Sequence, residues 1–391
     1  MFSRRTPKVH ALNRLTHALS ERAAPFLDLT VTNPTVSGLD LPDGPLAALT
    51  DARSVRYEPD PKGLLPARKA VTSYYAARGV TADPGRIVLT ASSSEAYGFL
   101  LKLICDPGDA VLAPAPSYPL LDALAELECV AIHRYPLAPG GGWAFHAAAV
   151  AHEVDRLVED GTRVGAVVLV SPNNPTGTGV ASGELLALQF LARARGFAVI
   201  SDEVFLDYRF AARSGDVPVA AAHAGALVFS LGGLSKSAAL PQLKLGWILA
   251  NGPEELLGEA LSRLEWIADS YLSVGTPVQA ALPSLLEGSR AAAAAVSARV
   301  LANHRTLAAA FPPGAPVSAE PLAGGWSAVL RVPAVEREED LVLRLLAEQA
   351  LLVHPGYFYD FPREGFLVLS LLPPPDLFAE GVDRLRTGLP R

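Results

Sequence analysis

Cysteine is almost missing from this chain: Cys105 and Cys129 are the only two in 391 residues. A single pair is no disulfide framework, and its spacing fits no metal-ligand pattern, so we expect a reducing compartment and no metal site. An excess of basic charge is missing too. The formal charge is −7 and charged residues make up 19% of the chain, which argues against a nucleic-acid partner or a polybasic membrane surface. Any phosphate must therefore be held locally, at a site. There is no apolar run of about 18 residues, the length a membrane span needs. Met1–Pro25 lacks the apolar core of a signal peptide, because Arg14, His17, Glu21 and Arg22 interrupt it. Low-complexity blocks and internal repeats are absent as well. What remains is a folded protein expected in the cytoplasm.

What the chain has in quantity is apolar residues, 50% of the total, enough for a large core and two or three domains. A first helix is expected over His10–Ala24, with Leu12, Leu15 and Leu19 on one face. Short apolar runs then alternate with helical stretches. Ile87–Leu89, Ala110–Ala113, Ala166–Val170, Ala198–Ser201 and Leu227–Ser230 read as strands bounded by Gly, Pro, Asp or Ser. Continuously apolar strands separated by helices predict an α/β fold with a mainly parallel sheet covered on both faces. Ligands in such sheets sit beyond the carboxyl ends of the strands. The distinctive polar residues follow the strands in that way: Ser92-Ser93-Ser94, Ser117-Tyr118, Asn173-Asn174, Asp202 and Lys236. After about Gly288 the pattern changes to a helix over Ser289–Phe311, a strand at Ala328–Val332, a helix near Glu338–Ala350 and a strand at Phe366–Leu371. We expect an N-terminal arm over 1–45, a large domain over 46–288 and a smaller α+β domain over 289–391.

The motifs at the strand ends supply what pyridoxal 5′-phosphate needs: a lysine for its aldehyde, an acid for its ring nitrogen, an aromatic platform and phosphate donors. Ser235-Lys236 closes Gly232-Gly233-Leu234-Ser235-Lys236, and Leu240-Pro241-Gln242-Leu243-Lys244-Leu245-Gly246-Trp247 follows. Asp202-Glu203-Val204-Phe205 ends a buried strand, and Ser171-Pro172-Asn173-Asn174-Pro175-Thr176-Gly177 follows another. Together they resemble the class I/II aminotransferases, fold-type I enzymes that depend on pyridoxal phosphate, from about Leu29 to Leu385. The resemblance implies that Lys236 holds the cofactor as a Schiff base and that Asp202, with Glu203 as its rival, pairs with the ring nitrogen. It implies Asn174 on the phenolic oxygen, Tyr118 stacked on the ring, and Ser93, Ser94 and Ser235 on the phosphate. Lys244 stands where the family has an arginine, keeping the charge without the bidentate fork. Tyr57, in Tyr57-Glu58-Pro59-Asp60-Pro61-Lys62-Gly63, resembles the tyrosine that reaches the neighbouring subunit's phosphate, which implies a homodimer with shared sites.

Two departures stand out. Phe205 replaces a tyrosine that would donate to the phenolic oxygen, which leaves Asn174 that contact. Val368, in Phe366-Leu367-Val368-Leu369-Ser370-Leu371, stands where the family has the arginine that clamps the substrate carboxylate. Arg363, His354 and Tyr357 are the nearby substitutes, with Arg363 preferred; Asn174 with the backbone near Thr32-Asn33 comes next. Trp326, after Gly324-Gly325, is expected to line the substrate pocket and favour a small or apolar side chain. The leading reading is an aminotransferase acting on an amino acid and a 2-oxo acid. The alternative is other pyridoxal phosphate chemistry on the same fold: a β-lyase, decarboxylase or oxidase. A cofactor-sensing DNA-binding regulator is disfavoured, because the segment before Pro25 is too short for a helix-turn-helix.

Overall fold

The computed structural model describes residues 2–6, 13–41, 44–139, 142–210 and 219–389. A short strand, β1 (Leu27–Asp28), precedes the large sheet. That sheet comprises β2 (Ile87–Thr90), β3 (Ala110–Ala115), β4 (Ala131–Pro136), β5 (Val164–Val170), β6 (Ala198–Asp202), β7 (Val228–Gly233) and β8 (Gly246–Asn251). Their spatial order is β2-β8-β7-β6-β5-β3-β4. β8 runs antiparallel to both neighbours and every other adjacent pair is parallel.

Alternation along each strand divides the core into two layers. Val88, Val111, Val168, Ile200 and Phe229 face the helices Ser93–Ile104, Leu120–Leu127 and Glu254–Asp269. Ile87, Leu112, Val167, Val199 and Val228 face Leu65–Ala76, Ala147–Glu159, Ser182–Arg195 and the first half of Thr276–Ala310. With both faces covered, the polar ends of the parallel strands are left as the place where chemistry can sit.

The remaining strands are β9 (Ser318–Ala319), β10 (Ser327–Arg331), β11 (Leu351–Leu352), β12 (His354–Pro355) and β13 (Phe366–Ser370). β12-β13-β10-β9 form an antiparallel sheet. The helices Glu338–Gln349 and Pro375–Gly388 and the second half of Thr276–Ala310 pack with it around Leu330, Leu367, Leu369 and Phe378. The N-terminal segment joins this unit: β1 pairs in parallel with β11, and the Leu29 carbonyl accepts from the Ser370 N–H at 2.7 Å.

Several expected elements differ in extent. The first helix is Arg14–Glu21, capped by Asn13, whose Oδ1 accepts from the Thr16 N–H at 2.7 Å; Leu12 lies outside the described residues. The helix expected from Ser289 begins at Thr276 and passes residue 288 unbroken, despite Pro283. Pro277 sits in its first turn, where no N–H partner is forfeited. β4 and β8 were not expected. β4 is an edge strand mixing His133 and Arg134 with apolar residues, and β8 follows a turn too tight to separate it from the motif before it. Among the described residues, no helix is long and apolar enough to cross a membrane.

Candidate active site

β7 ends at Gly233 and the chain turns directly into the short helix Leu234–Ser237. The backbone there is tied from two sides: the Leu234 N–H donates to the Leu245 carbonyl at 3.0 Å, and the Tyr208 hydroxyl to the Lys236 carbonyl at 2.8 Å. The Lys236 Nζ lies 4.7 Å from the centre of the Trp326 ring and 5.5 Å from that of Phe205. Those two rings meet edge-on at 5.5 Å. Among the described residues the amine has no hydrogen-bond or ion-pair partner; it meets these rings and the field of Asp202. Burial pushes its pKa below the ordinary lysine value, and the Asp202 charge opposes that shift.

Asp202 closes β6 beside it. Its Oδ2 accepts from the Tyr97 hydroxyl at 3.1 Å and its Oδ1 from the Val204 N–H at 3.2 Å. Burial raises its pKa, while these two bonds and Lys236 pull it back. Glu203, the rival, points elsewhere, as strand alternation requires. Its Oε1 accepts from the Ala220 N–H at 2.7 Å and the Ser230 hydroxyl at 2.8 Å. Burial, the largest cause, pushes this carboxyl up to about 7 from an ordinary 4.5, with Asp202 adding to the shift. Between those two values the unfolded chain has released the proton and the folded chain retains it, so stability falls as pH rises and levels off above about 7. Glu203→Gln is expected to remove this slope, on the order of 3 kcal/mol across the window. Urea unfolding at pH 5 and pH 7.5 measures it; an unchanged slope would mean the carboxylate is already ionised in the folded protein.

The serine cluster opens the helix Ser93–Ile104. Ser92 is its cap: Oγ accepts from the Glu95 N–H at 3.1 Å, and the Glu95 carboxylate accepts in return from the Ala91 N–H at 2.6 Å. Ser93 and Ser94 then occupy the first turn, where backbone N–H groups point outward and favour an anion. Gly246 packs against this turn so closely that a Cβ there would lie 3.1 Å from the Ser92 carbonyl carbon and 3.0 Å from the Gly232 oxygen. The serine turn, the Lys236 helix and the start of β8 therefore adjoin. Lys244, just before that contact, is exposed with φ +51°. Ser235 is partly buried next to Lys236.

The loop after β5 is held by Asn173, whose Nδ2 donates to the Pro116 carbonyl at 3.0 Å and to Thr176 Oγ1 at 2.9 Å. Asn174 is left partly buried, its Oδ1 accepting from the Ser327 hydroxyl at 3.3 Å. Gly177, at φ +71°, packs on the Gly324 backbone and leaves no room for a Cβ, which brings this loop against the segment leading to Trp326. Tyr118 follows β3 as a residue 53% exposed, its ring centre 6.4 Å from that of Tyr359.

Three expected residues are not drawn to Lys236 by any contact. Arg363 is exposed, its guanidinium 5.6 Å from the Phe366 ring at the far end of β13 from Ser370. Asn33 is exposed and spends its Oδ1 on capping Thr35. Tyr57 is 78% exposed on an outer loop. Conversely, sequence reasoning missed Tyr97 and Ser327. Tyr97 was findable, since it stands one helical turn after Ser93 and Ser94 and so shares their face. Ser327 carries no local signal.

Residues 26–385 match the family model described as Aminotransferase class I and II. Glutamate-pyruvate aminotransferase AlaA of Haemophilus influenzae is 30% identical over 275 residues, 69% of this chain and 66% of that protein. The chain thus spans just under two thirds of that relative. Tyrosine aminotransferase of Mus musculus is 26% identical over 374 residues, 92% of this chain and 80% of that one. Among solved structures, a double mutant of Thermus thermophilus aspartate aminotransferase aligns over 100% of both chains with a TM-score of 0.85 at 22% identity, a likeness of fold.

Proposed function

The chain belongs to the class I and II aminotransferases, and from that premise we propose that it moves an amino group between a 2-amino acid and a 2-oxo acid with pyridoxal phosphate bound at Lys236. The observation that carries this reading is the Lys236 amine, without a hydrogen-bond partner among the described residues and pressed against Trp326 and Phe205 beside a carboxyl group. An unpaired amine in such a setting costs stability, and desolvated groups of this kind, set beside a charge, cluster at functional sites. The donor set fits the cofactor. Lys236 would take its aldehyde, Asp202 its ring nitrogen and Tyr118 its ring face. Asn174 would take the phenolic oxygen, and Ser93, Ser94, Ser235 and Lys244 the phosphate. The crowding at Gly246 supports the fit, because a side chain there would press on the serine turn.

When bound, the cofactor supplies an electron sink for the pair released as the Cα–H bond breaks. The protein's part is positioning and proton transfer. Once the amino group of the substrate has displaced it from the aldehyde, the freed Lys236 Nζ would take the Cα proton and return it on the cofactor side, a role its lowered pKa favours by leaving more of the amine neutral. Trp326 and Phe205 wall the pocket and favour small or apolar side chains. Arg363 would contribute only by leaving the Phe366 ring, and Asn33 only by turning from its cap. A homodimer follows from the same reading, with Tyr57 of one protomer reaching the phosphate in the other; its exposure supports this. We place the enzyme in the cytoplasm.

A donor screen with 2-oxoglutarate and pyruvate as acceptors tests the assignment, with cofactor absorbance as readout. Alanine, glutamate, aspartate and tyrosine are the first donors to try, since the relatives named above act on them or on their 2-oxo acids. At least one 2-amino acid is expected to bleach the cofactor, and either acceptor to restore it. Release of ammonia, carbon dioxide or peroxide without amino transfer would instead establish a lyase, decarboxylase or oxidase.

A further inference from the structure

Val368 leaves the substrate carboxylate without its usual cation, and the small sheet shows what stands around that position. Phe366 and Val368 share a core with Tyr359 and Phe361, while Leu367 and Leu369 point to the opposite layer. The cross-strand partners of Val368 are Val329 on β10 and His354 on β12. Residues directly opposite across an antiparallel pair project to the same face, so His354 stands beside Val368. Two positions along β10 from Val329, Ser327 stands on that face with its hydroxyl on Asn174. Trp326, the ring against Lys236, immediately precedes it. One face therefore runs from the Asn174 loop to His354, while Trp326 itself turns to the opposite layer with Leu367 and Leu369. Its positions Ser327, Val329, Val368, Ser370 and His354 carry no lysine or arginine; Arg331, opposite Phe366 at the far end of the face, spends its guanidinium on the Ser318 hydroxyl at 2.9 Å.

His354 does not stand alone. Its Nδ1 lies 3.0 Å from the Tyr359 hydroxyl. Tyr359 in turn lies 6.4 Å from the Tyr118 ring, and its carbonyl accepts from the Ser117 N–H at 2.8 Å. The pair thus reaches from the small sheet to the end of β3. Its loop is pinned by the buried Glu338 carboxylate, which accepts from the N–H groups of Tyr357 at 2.9 Å, Gly365 at 2.8 Å and Phe366 at 2.8 Å. Burial lowers the pKa of His354, with Asp28 the charged group acting against that. An uncharged imidazole in this bond leaves one donor free in either tautomer. If Nδ1 accepts from Tyr359, the Nε2–H is free; if Nδ1 donates, the tyrosine O–H is free.

We propose that the His354–Tyr359 pair reads the carboxylate of the substrate, in place of a cationic clamp. This rests on the reading above of Lys236 as the cofactor lysine of an enzyme that binds 2-amino acids. The substrate class it implies is a 2-amino acid whose carboxylate is gripped by a single hydrogen bond, and so held weakly.

Two probes separate carboxylate from amine recognition on the holoenzyme. 2-Aminoisobutyrate carries both groups but no α-hydrogen, so it binds without turnover; isopropylamine is the same molecule without the carboxylate. Spectral titration of the cofactor gives a Kd for each. The parent enzyme is expected to prefer 2-aminoisobutyrate. His354→Ala should weaken that probe about tenfold, the usual effect of losing one hydrogen bond, and leave isopropylamine unchanged. His354→Gln, which keeps a donor, should recover most of the loss, and Tyr359→Phe should fall between. The proposal is overturned if His354→Ala binds both probes as the parent does, if it weakens both equally, or if the loss appears in Arg363→Ala instead. A holoenzyme that fails the donor screen yet shows the His354-dependent preference would defeat the aminotransferase reading and leave this one standing.

Discussion

Lys236→Ala is expected to reduce turnover by at least about a thousandfold. A positioned general base alone contributes typically 10²–10⁴, and this variant also loses the covalent anchor that presents the cofactor to the amino donor. The cofactor should become removable by dialysis, since the serine turn and Asp202 would hold it without a bond. The fold should survive. The amine has no hydrogen-bond partner among the described residues and is disfavoured by burial, so its removal relieves a desolvated charge even as it opens space beside Trp326. Lys236→Met, which fills that space, should unfold at or above the temperature of the cofactor-free parent. Borohydride supplies the decisive check, because it reduces a carbon–nitrogen double bond to a stable adduct. The parent should carry that adduct on Lys236. An adduct on another lysine in the alanine variant would overturn the assignment. Among the described residues the alternatives are poorly placed: Lys62 pairs with Glu265 at 3.3 Å, Lys102 with Glu128, and Lys69 and Lys244 are exposed.

Much of this site was legible in the sequence, because parallel sheets impose a rule that local sequence can express. Val164–Val170 is buried along nearly its whole length, and the polar loop 171–177 follows directly. The same logic located Asp202 after β6 and Lys236 after β7. Legibility failed where an element takes its character from distant partners. β4 is an edge strand, half of it solvent-facing, so it lacks the continuous apolar run that marked the others. The helix Thr276–Ala310 contains Pro283 and still continues, since packing along Val278, Leu282, Leu285, Val296 and Val300 outweighs one interrupted bond. His354 and Tyr359 are near in sequence, but their meeting depends on a loop whose shape Glu338 fixes from another helix. No periodicity encodes such a contact. The departures at Val368 and Phe205, by contrast, were plain from the motifs, and the fold explains what each leaves behind: a histidine–tyrosine pair near one, and an aromatic wall against the lysine at the other.

Asp202→Asn should bind the cofactor and transaminate on the order of a hundredfold more slowly, the scale on which loss of one preorganised electrostatic contact is usually felt in catalysis. The asparagine substitution is more informative than alanine. It preserves the shape of the side chain and an oxygen that can still accept from Tyr97 or from the Val204 N–H, the two bonds that orient Asp202 now. What it removes is the negative charge. A carboxylate can hold a proton on the ring nitrogen and so keep the ring a strong electron acceptor, whereas an amide cannot. The phosphate donors and Lys236 are untouched, so the bound fraction of cofactor should remain near that of the parent at saturating concentration. The folded state should gain slightly relative to the parent as pH rises past the ordinary aspartate value of 3.8, because burial raises the Asp202 pKa and so disfavours its ionised form in the folded protein. Tyr97→Phe separates charge from orientation. It removes one bond to Asp202 but leaves the carboxylate, and its rate loss should be about tenfold or less. Single-turnover kinetics with the best donor from the screen, monitored through the cofactor spectrum, measure all three proteins. If Asp202→Asn loses less than about tenfold while Tyr97→Phe loses as much or more, the carboxylate is not paired with the ring nitrogen. Its place at the end of β6 would then be structural.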